Sequence, residues 1–170
     1  MTLTELAFIA LGSNIGPETN LPLAAARLTE IGNPIAVSKV YQNPAIADEP
    51  QADYLNAAVL IETELDPLAI RDKLREIEAV LGRIRTTDKF APRTIDLDLC
   101  ILGDHVLHHE LLPLPDPDIL KRAHLAVTLA ELRPDFLHPI TRDSLDEIAN
   151  ELQKDAELKP RPDIVLQGHE

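Results

Sequence analysis

The sequence predicts an α+β fold, a largely antiparallel sheet with helices packed on its faces. Apolar residues repeat with the period of a strand in some segments and with the period of a helix in others. These segments follow the order β-α-β-β-α-β and are separated by turn-forming residues. The chain has 170 residues, of which 45% are hydrophobic, which is enough for one core. We therefore expect a single domain over residues 1–154, followed by a polar, mobile tail over residues 155–170.

Four strands are predicted from runs that are continuously apolar or that alternate with polar residues. They cover residues 7–11, 35–41, 54–65 and 94–102. A polar loop from Asn43 to Asp53 separates the second strand from the third, and such loops often carry function. Gly103 and Asp104 form a turn after the fourth strand, so we expect residues 105–107 to pair back as a hairpin.

Four helices are predicted from apolar residues spaced three and four apart. They cover residues 21–31, 67–81, 118–132 and 145–152. Gly32 ends the first helix, since glycine readily adopts the conformation that terminates helices. Asp66 caps the second helix and Pro67 starts it, whereas Ser144 and Glu147 form a capping box before the last helix.

The fourth strand carries two carboxylates on one face. Its apolar face consists of Ile95, Leu97, Leu99 and Ile101, and its polar face of Thr94, Asp96, Asp98 and Cys100. Carboxylates two apart on a strand lie about 7 Å from each other and repel unless a cation joins them. Mg²⁺ prefers one or two carboxylates together with phosphates, so the pair is a candidate magnesium site. The plain alternative is that both aspartates only solvate the outer face of the strand.

A basic cluster precedes this strand in an otherwise acidic chain. Between residues 83 and 93, four cations (Arg83, Arg85, Lys89 and Arg93) stand against Asp88, a local charge of 4 − 1 = +3 within a net charge of −13. Small anions are expected to bind here, unless the arginines only provide surface solubility. The overall charge argues against nucleic acid and anionic membranes as partners.

The cysteine and aromatic content further narrows the classes of protein to which this chain can belong. The single cysteine, Cys100, excludes an internal disulfide framework and fits a small apolar filler in a reducing compartment. No apolar run is long enough to span a membrane, and the N-terminus has no signal-peptide pattern, so we expect a cytoplasmic protein. Aromatic residues make up only 3% of the chain, which favours specific roles for Tyr54 and Phe90.

Three motifs together resemble the 6-hydroxymethyl-7,8-dihydropterin pyrophosphokinase family of folate synthesis. They are Leu11-Gly12-Ser13-Asn14, Asp53-Tyr54-Leu55-Asn56-Ala57-Ala58-Val59 and Pro92-Arg93-Thr94-Ile95-Asp96-Leu97-Asp98. The resemblance covers roughly residues 5 to 135, and the last motif is its most specific part. It implies a ferredoxin-like fold and the transfer of a diphosphoryl group from ATP to the hydroxymethyl group of a dihydropterin, with release of AMP.

The resemblance also implies roles for individual residues. Asp96 and Asp98 would hold two Mg²⁺ ions, and Arg83 and Arg93 would be catalytic. The expected ATP-binding residues are Glu78, Arg83, Arg85, Arg93, Leu99 and Arg122. The expected pterin-binding residues are Asn43, Pro44, Ile46, Tyr54, Asn56, Phe90 and His124. Glu78 could instead be an ordinary ion-pair partner of Arg75 or Arg85, and Asn56 a core amide satisfied by backbone groups.

This chain departs from the family pattern mainly after residue 110. Leu111 and Pro113 replace polar or basic residues, Asp116 replaces a histidine, and His124 replaces a phenylalanine. Arg75 stands where relatives commonly have glutamine. Two alternatives therefore remain: a diverged paralogue that acts on another pterin or only binds pterin and nucleotide, and a zinc protein that uses His105, His108 and His109.

Overall fold

The structure, a computed structural model, describes residues 3–45, 50–84, 86, 88 and 91–166. Within these residues, a six-stranded sheet of antiparallel pairs lies between two helical layers. The predicted α+β class, with helices on the faces of a largely antiparallel sheet, is confirmed.

The strands follow the predicted order, with the second one divided in two. They are β1 Glu5–Ser13, β2 Asn33–Val37, β3 Tyr41–Asn43, β4 Tyr54–Thr63, β5 Asp96–Leu102, β6 Leu107–His108, β7 Pro113–Leu114 and β8 Lys159–Pro160. The sheet order is β5-β1-β4-β3-β8, and β2 pairs with the same edge of β4 as β3 does. The central strands β1 and β4 are buried on both faces, which explains why their sequences are almost entirely apolar.

The helices are α1 Pro17–Arg27, α2 Pro67–Val80, α3 Ala123–Leu132 and α4 Leu145–Gln153. Both predicted caps are confirmed. The Asp66 carboxylate accepts a hydrogen bond from the Ala69 amide at 2.8 Å, and Ser144 and Glu147 form the capping box. Within the described ranges, no helix is long and apolar enough to cross a membrane.

Two apolar clusters fill the space between the sheet and the helices. On one face, α1 and α2 pack against residues such as Ile9 and Leu97. On the other face, α3 and α4 pack against Phe8, whose ring lies 4.8 Å from that of Phe136 between centroids. Alternation along β1 sends neighbouring side chains to opposite clusters, so this strand joins the two halves of the core.

A bulge in β5 changes the predicted face of Ile101. Ile9 pairs with Leu99 and Phe8 with Ile101, so Cys100 is an extra residue in the ladder. The predicted alternation therefore holds as far as Leu99, while Ile101 lies in the cluster under α3 and α4. The two aspartates precede the bulge and keep their common face.

Two predictions about the segment after β5 are wrong. Residues 105–107 do not pair with β5: Leu107 and His108 form β6, which pairs with β7. The predicted helix over 118–132 is divided into a short 3₁₀ helix, Pro117–Leu120, and α3, because Arg122 between them is extended.

The tail also differs from its prediction. Residues 159 and 160 form β8, which pairs with β3, and the side chains of Ile164 and Leu166 are only 7% and 2% exposed. The polar composition of residues 155–163 concealed two apolar anchors near the end of the described chain. The assignment of residues 1–154 to one domain remains a prediction.

A buried carboxylate connects α2 to β5 directly below the two aspartates. The side chain of Glu78 is 1% exposed, and its Oε2 accepts hydrogen bonds from the Leu97 amide at 2.7 Å and from Arg75 Nη1 at 2.9 Å. Arg75 Nη1 also donates to the Leu97 carbonyl at 2.8 Å. Because Leu97 lies between Asp96 and Asp98, this network fixes the strand that presents them.

We predict that Glu78→Ala lowers the free energy of unfolding by about 2–3 kcal/mol, because it leaves the buried Leu97 amide without its charged acceptor. Chemical denaturation of the wild type and the variant measures this difference. Glu76→Ala is the matched control, since Glu76 lies on the same helix with 65% of its side chain exposed. Equal stability of the two variants would contradict a structural role for Glu78.

Candidate active site

A pocket of about 300 Å³ opens on the α3 side of the sheet, where β1, β4 and β5 meet the N-terminus of α3. Most of the residues predicted for the site line it. They are Asn43, Pro44, Tyr54, Asn56, Arg93, Asp96, Asp98, Arg122 and His124. Residues as far apart in sequence as Asn43 and His124 therefore meet in one cavity, as the motifs predicted.

Each of the two aspartates on β5 is paired with arginine. Asp96 lies between two guanidinium groups: its Oδ2 is 2.7 Å from Arg93 Nη1, and its Oδ1 is 3.4 Å from Arg83 Nη1. Asp98 Oδ1 is 3.4 Å from Arg75 Nη2. Arg83 and Arg93 were predicted as phosphate ligands, and in the structure both balance the charge of Asp96.

Arg83 is the most enclosed of these cations. Its side chain is 7% exposed, and its Nη1 donates to the Ile95 carbonyl at 3.0 Å. Its Nε is buried and has no hydrogen-bond partner among the described residues. Arg83 and Arg93 also line a smaller hollow of about 120 Å³ beside the main pocket. A buried donor of this kind suits an anionic ligand.

The Asp96 carboxylate affects the ionisation of Asp98. Burial, and then the neighbouring Asp96 carboxylate, raise the pKa of Asp98 to about 7, even though 43% of its side chain faces the pocket. Arg75 opposes this rise. A cation bound beside Asp98 would oppose this rise in its pKa.

The residues present fit Mg²⁺ bound together with a nucleotide. Asp96 and Asp98 offer hard oxygen ligands on one face. The Nε–H group of Arg83, which has no hydrogen-bond partner among the described residues, can donate to a phosphate oxygen. Among the described residues, no group of three or more His, Cys, Asp or Glu side chains could hold a metal ion. Magnesium with two protein carboxylates, completed by phosphate and water, is consistent with such a donor set.

Asn14 organises the site, a role that the sequence analysis did not assign. Its Oδ1 accepts from the Arg93 amide at 2.8 Å, and its own amide donates to the Arg93 carbonyl at 3.1 Å. Its Nδ2 donates to Gln51 Oε1 at 2.8 Å and to the Ala52 carbonyl at 3.2 Å. Asn14 therefore connects the segment that carries Arg93 to the loop before β4, and its place in the first motif was the available signal.

The polar side chains of β3 and β4 lie on the opposite side of the pocket from Asp98. Asn56 Nδ2 donates to Asn43 Oδ1. A Cβ at position 12 would lie 3.1 Å from Asn56 Oδ1, so Gly12 leaves the room that this amide occupies. Burial raises the pKa of the Tyr54 hydroxyl, and the Arg93 charge opposes that rise. Asn43, Tyr54 and Asn56 thus provide amide groups and an aromatic ring for a flat, polar heterocycle.

His124 lies in the first turn of α3 and lines the pocket. Burial, followed by the nearby Arg122 charge, lowers its pKa to about 4. The imidazole is therefore neutral at physiological pH, and it can stack on or hydrogen-bond to an uncharged ring without adding charge. Arg122 itself lines the pocket at the N-cap of the same helix.

Asp116 both caps a helix and lines the pocket. Its side chain caps the short 3₁₀ helix by accepting from the Asp118 amide at 2.9 Å, and its own amide donates to the Cys100 carbonyl at 2.8 Å. It also lines the pocket, and burial raises its pKa. Both Asp116 and Asp118 therefore add negative charge on the side of β5 that faces α3.

The remaining predicted residues lie elsewhere. Glu78 is enclosed beneath β5, and the side chain of Leu99 is 3% exposed in the opposite core cluster, so their nucleotide contacts stay predictions. Leu111 is an exposed residue beside β7 and does not line the pocket. Arg85, Ile46 and Phe90 lie outside the described residues.

The histidines of the zinc alternative have other contacts. His105 Nε2 lies 2.8 Å from Glu5 Oε2, beside the turn at Gly103. His109 Nδ1 accepts from the Leu111 amide at 3.1 Å. These contacts give the histidines local structural roles around the β6–β7 ribbon.

Solved structures with the same fold come from a larger protein. A crystal structure of wild-type Plasmodium falciparum HPPK-DHPS matches with a TM-score of 0.68 at 15% identity, covering 89% of this chain and 45% of that chain. A triple mutant of the same protein matches with a TM-score of 0.70 at 14% identity, covering 88% and 44%. At this identity the likeness establishes the fold, and this chain spans less than half of those chains.

Sequence comparison is more specific. Proteins named 2-amino-4-hydroxy-6-hydroxymethyldihydropteridine pyrophosphokinase match from Haemophilus influenzae, at 35% identity over 78% of this chain and 84% of the relative, and from Methylorubrum extorquens, at 38% over 77% and 84%. The pattern described as 7,8-dihydro-6-hydroxymethylpterin-pyrophosphokinase (HPPK) matches residues 8–134, which include every residue that lines the main pocket. The chain belongs to the HPPK family.

Proposed function

We propose that this chain transfers the terminal diphosphate of ATP to 6-hydroxymethyl-7,8-dihydropterin and releases AMP. One observation carries the proposal: the carboxylates of Asp96 and Asp98 and the guanidinium group of Arg93 line one pocket together with the amide and aromatic groups of Asn43, Asn56 and Tyr54. Arg83, which pairs with Asp96, lines the hollow beside this pocket. Relatives that share more than a third of their aligned residues with this chain are named for this activity.

The ion pairs at Asp96 hold two cations close to the proposed phosphate site. Asp96 pairs with both Arg83 and Arg93. Asp96 and Asp98 would hold Mg²⁺, and the guanidinium groups of Arg83 and Arg93 would donate to phosphate oxygens. The arginines then already lie where negative charge accumulates, which reduces the cost of reorganisation during transfer.

We propose two Mg²⁺ ions at Asp96 and Asp98, in keeping with the separation of the carboxylates along the strand. When bound, Mg²⁺ neutralises phosphate charge and orients the attacking and leaving oxygens. Arg83 and Arg93 would donate hydrogen bonds to the phosphates. Arg122, which also lines the pocket, adds a third positive charge. Positioning and charge neutralisation are the main requirements of phosphoryl-type transfer.

The pterin is assigned to the side of the pocket formed by β3 and β4. Asn56 and Asn43 already bond to each other, which fixes their orientation before the ligand arrives. Tyr54 lies at the start of β4, opposite Asn43 in the ladder, and offers a ring face. Neutral His124 approaches from α3. This side therefore recognises a heterocycle by shape and hydrogen bonding rather than by charge.

A direct assay tests the proposal. The protein is incubated with ATP, Mg²⁺ and 6-hydroxymethyl-7,8-dihydropterin, and AMP is measured over time. Pterin-dependent release of AMP supports the proposed transfer. Tight pterin and nucleotide binding without AMP would instead support the inactive binder, and AMP with a different pterin the diverged paralogue.

We predict that Asp96→Ala and Asp98→Ala each lower the rate of AMP release by at least about 100-fold, because each removes an oxygen ligand that positions the phosphates. Asp104→Ala, in the exposed turn after β5, is the matched control and is expected to keep full activity. Circular dichroism verifies that all three variants are folded. Near-normal turnover of either site variant would refute the metal assignment.

We predict that Asp116→Asn tightens the binding of a non-hydrolysable ATP analogue by about fivefold, equivalent to roughly 1 kcal/mol of repulsion in a partly solvated site. Asparagine keeps the helix cap and removes the charge, so the variant separates the two functions of Asp116. Titrations at low and high salt test whether the gain shrinks with screening. Unchanged affinity at low salt would leave Asp116 only its capping role.

A further inference from the structure

The strand that carries Asn43 is short and would be an edge strand without the tail. β3 has three residues and pairs with β4 on one side. On its other side, Tyr41 pairs with Pro160 and Gln42 with Lys159, and the Arg161 amide donates to the Val40 carbonyl at 2.8 Å. The tail therefore closes the edge of the sheet beside the pterin side of the pocket.

Apolar contacts hold the tail on both faces of this edge. Leu158 packs against the cluster under α3 and α4. Ile164 and Leu166 are buried in the cluster under α1 and α2. Because the two ends of the segment lie in different halves of the core, β8 is clamped across the edge of β3.

A polar relay runs from the tail toward the start of β4. Arg161 Nη1 donates to Gln42 Oε1 at 3.0 Å, and Gln42 Nε2 donates to Asp53 Oδ2 at 2.8 Å. Asp163 holds the Arg161 guanidinium with two hydrogen bonds, at 2.9 and 2.8 Å. The Gln42 amide is thus fixed at both of its polar atoms.

The relay ends beside the residues assigned to the pterin. Gln42 directly precedes Asn43, and Asp53 directly precedes Tyr54, which pairs with Asn43 in the ladder. The side-chain Oδ1 of Asn43 accepts a hydrogen bond from Asn56 Nδ2. A shift of β3 relative to β4 would therefore displace Asn43 from Asn56 and Tyr54 together.

We propose that residues 159–166 position the pterin side of the site, with Arg161 acting through Gln42 and Asp53 as the positioning residue. This inference rests on the proposed function. The family pattern matches only residues 8–134, so the tail lies outside it. Arg161 does not line the pocket, and its effect is expected on pterin affinity rather than on the chemical step.

The test compares KM for the pterin, KM for ATP and kcat in Arg161→Leu, Gln42→Leu and the double variant. Each single variant is expected to raise KM for the pterin about fivefold, the loss equivalent to one hydrogen bond, with kcat and KM for ATP unchanged. The double variant is expected to match the single ones, since both break the same relay. Arg161→Lys keeps a donor for Gln42 and should recover part of the affinity.

Lys154→Ala is the matched control, because Lys154 forms an exposed ion pair with Glu151 on α4. An unchanged KM for the pterin in Arg161→Leu and Gln42→Leu, with or without a lower Tm, would overturn the positioning role. If the wild type released no AMP, the proposed function would fail, and direct fluorescence titration of the pterin into the same variants would still decide the role of Arg161.

Discussion

The structure of the site depends on the pairing of Asp96 with Arg83 and Arg93. This pairing allows Asp96 to share one face of β5 with Asp98 and allows two arginines to lie close together, because their opposite charges balance. Two hydrogen bonds to the backbone support this pairing. Glu78 accepts from the Leu97 amide, and Asn14 accepts from the Arg93 amide. The charges therefore meet in one geometry, and ligand binding can exchange partners without rebuilding the strand.

The pocket has two chemically different halves, one at β5 and one at β3 and β4. The half at β5 contains charged groups and suits phosphate and magnesium, whereas the half at β3 and β4 contains amides, an aromatic ring and a neutral imidazole. The reacting groups of the two substrates would meet where these halves join. Asp116 belongs to neither half cleanly, since it caps a short helix and also faces the pocket.

The sequence predicted the parts of the site that lie on regular elements. Asp96 and Asp98 follow from strand alternation, and Tyr54 and Asn56 from a motif within β4. Alternation failed at Ile101, because a bulge depends on the pairing with β1 and leaves no local pattern. The role of β8 was missed for a similar reason: Lys159 and Pro160 form a strand only because β3 offers an open edge, and the polar residues around them conceal Ile164 and Leu166. The pair between Arg75 and Asp98 was also not predicted, because the two residues are 23 positions apart in sequence.

The exchange of partners proposed at Asp96 is tested by measuring the affinity for ATP in the absence of magnesium. In the wild type without Mg²⁺, Asp96 competes with the triphosphate for Arg83 and Arg93, so binding of a non-hydrolysable ATP analogue should be weak. Asp96→Asn removes that competition and should bind the analogue more tightly than the wild type when no Mg²⁺ is present, and less tightly than the wild type when Mg²⁺ is added. If, in the absence of Mg²⁺, Asp96→Asn binds the analogue no more tightly than the wild type does, the exchange of partners at Asp96 is contradicted.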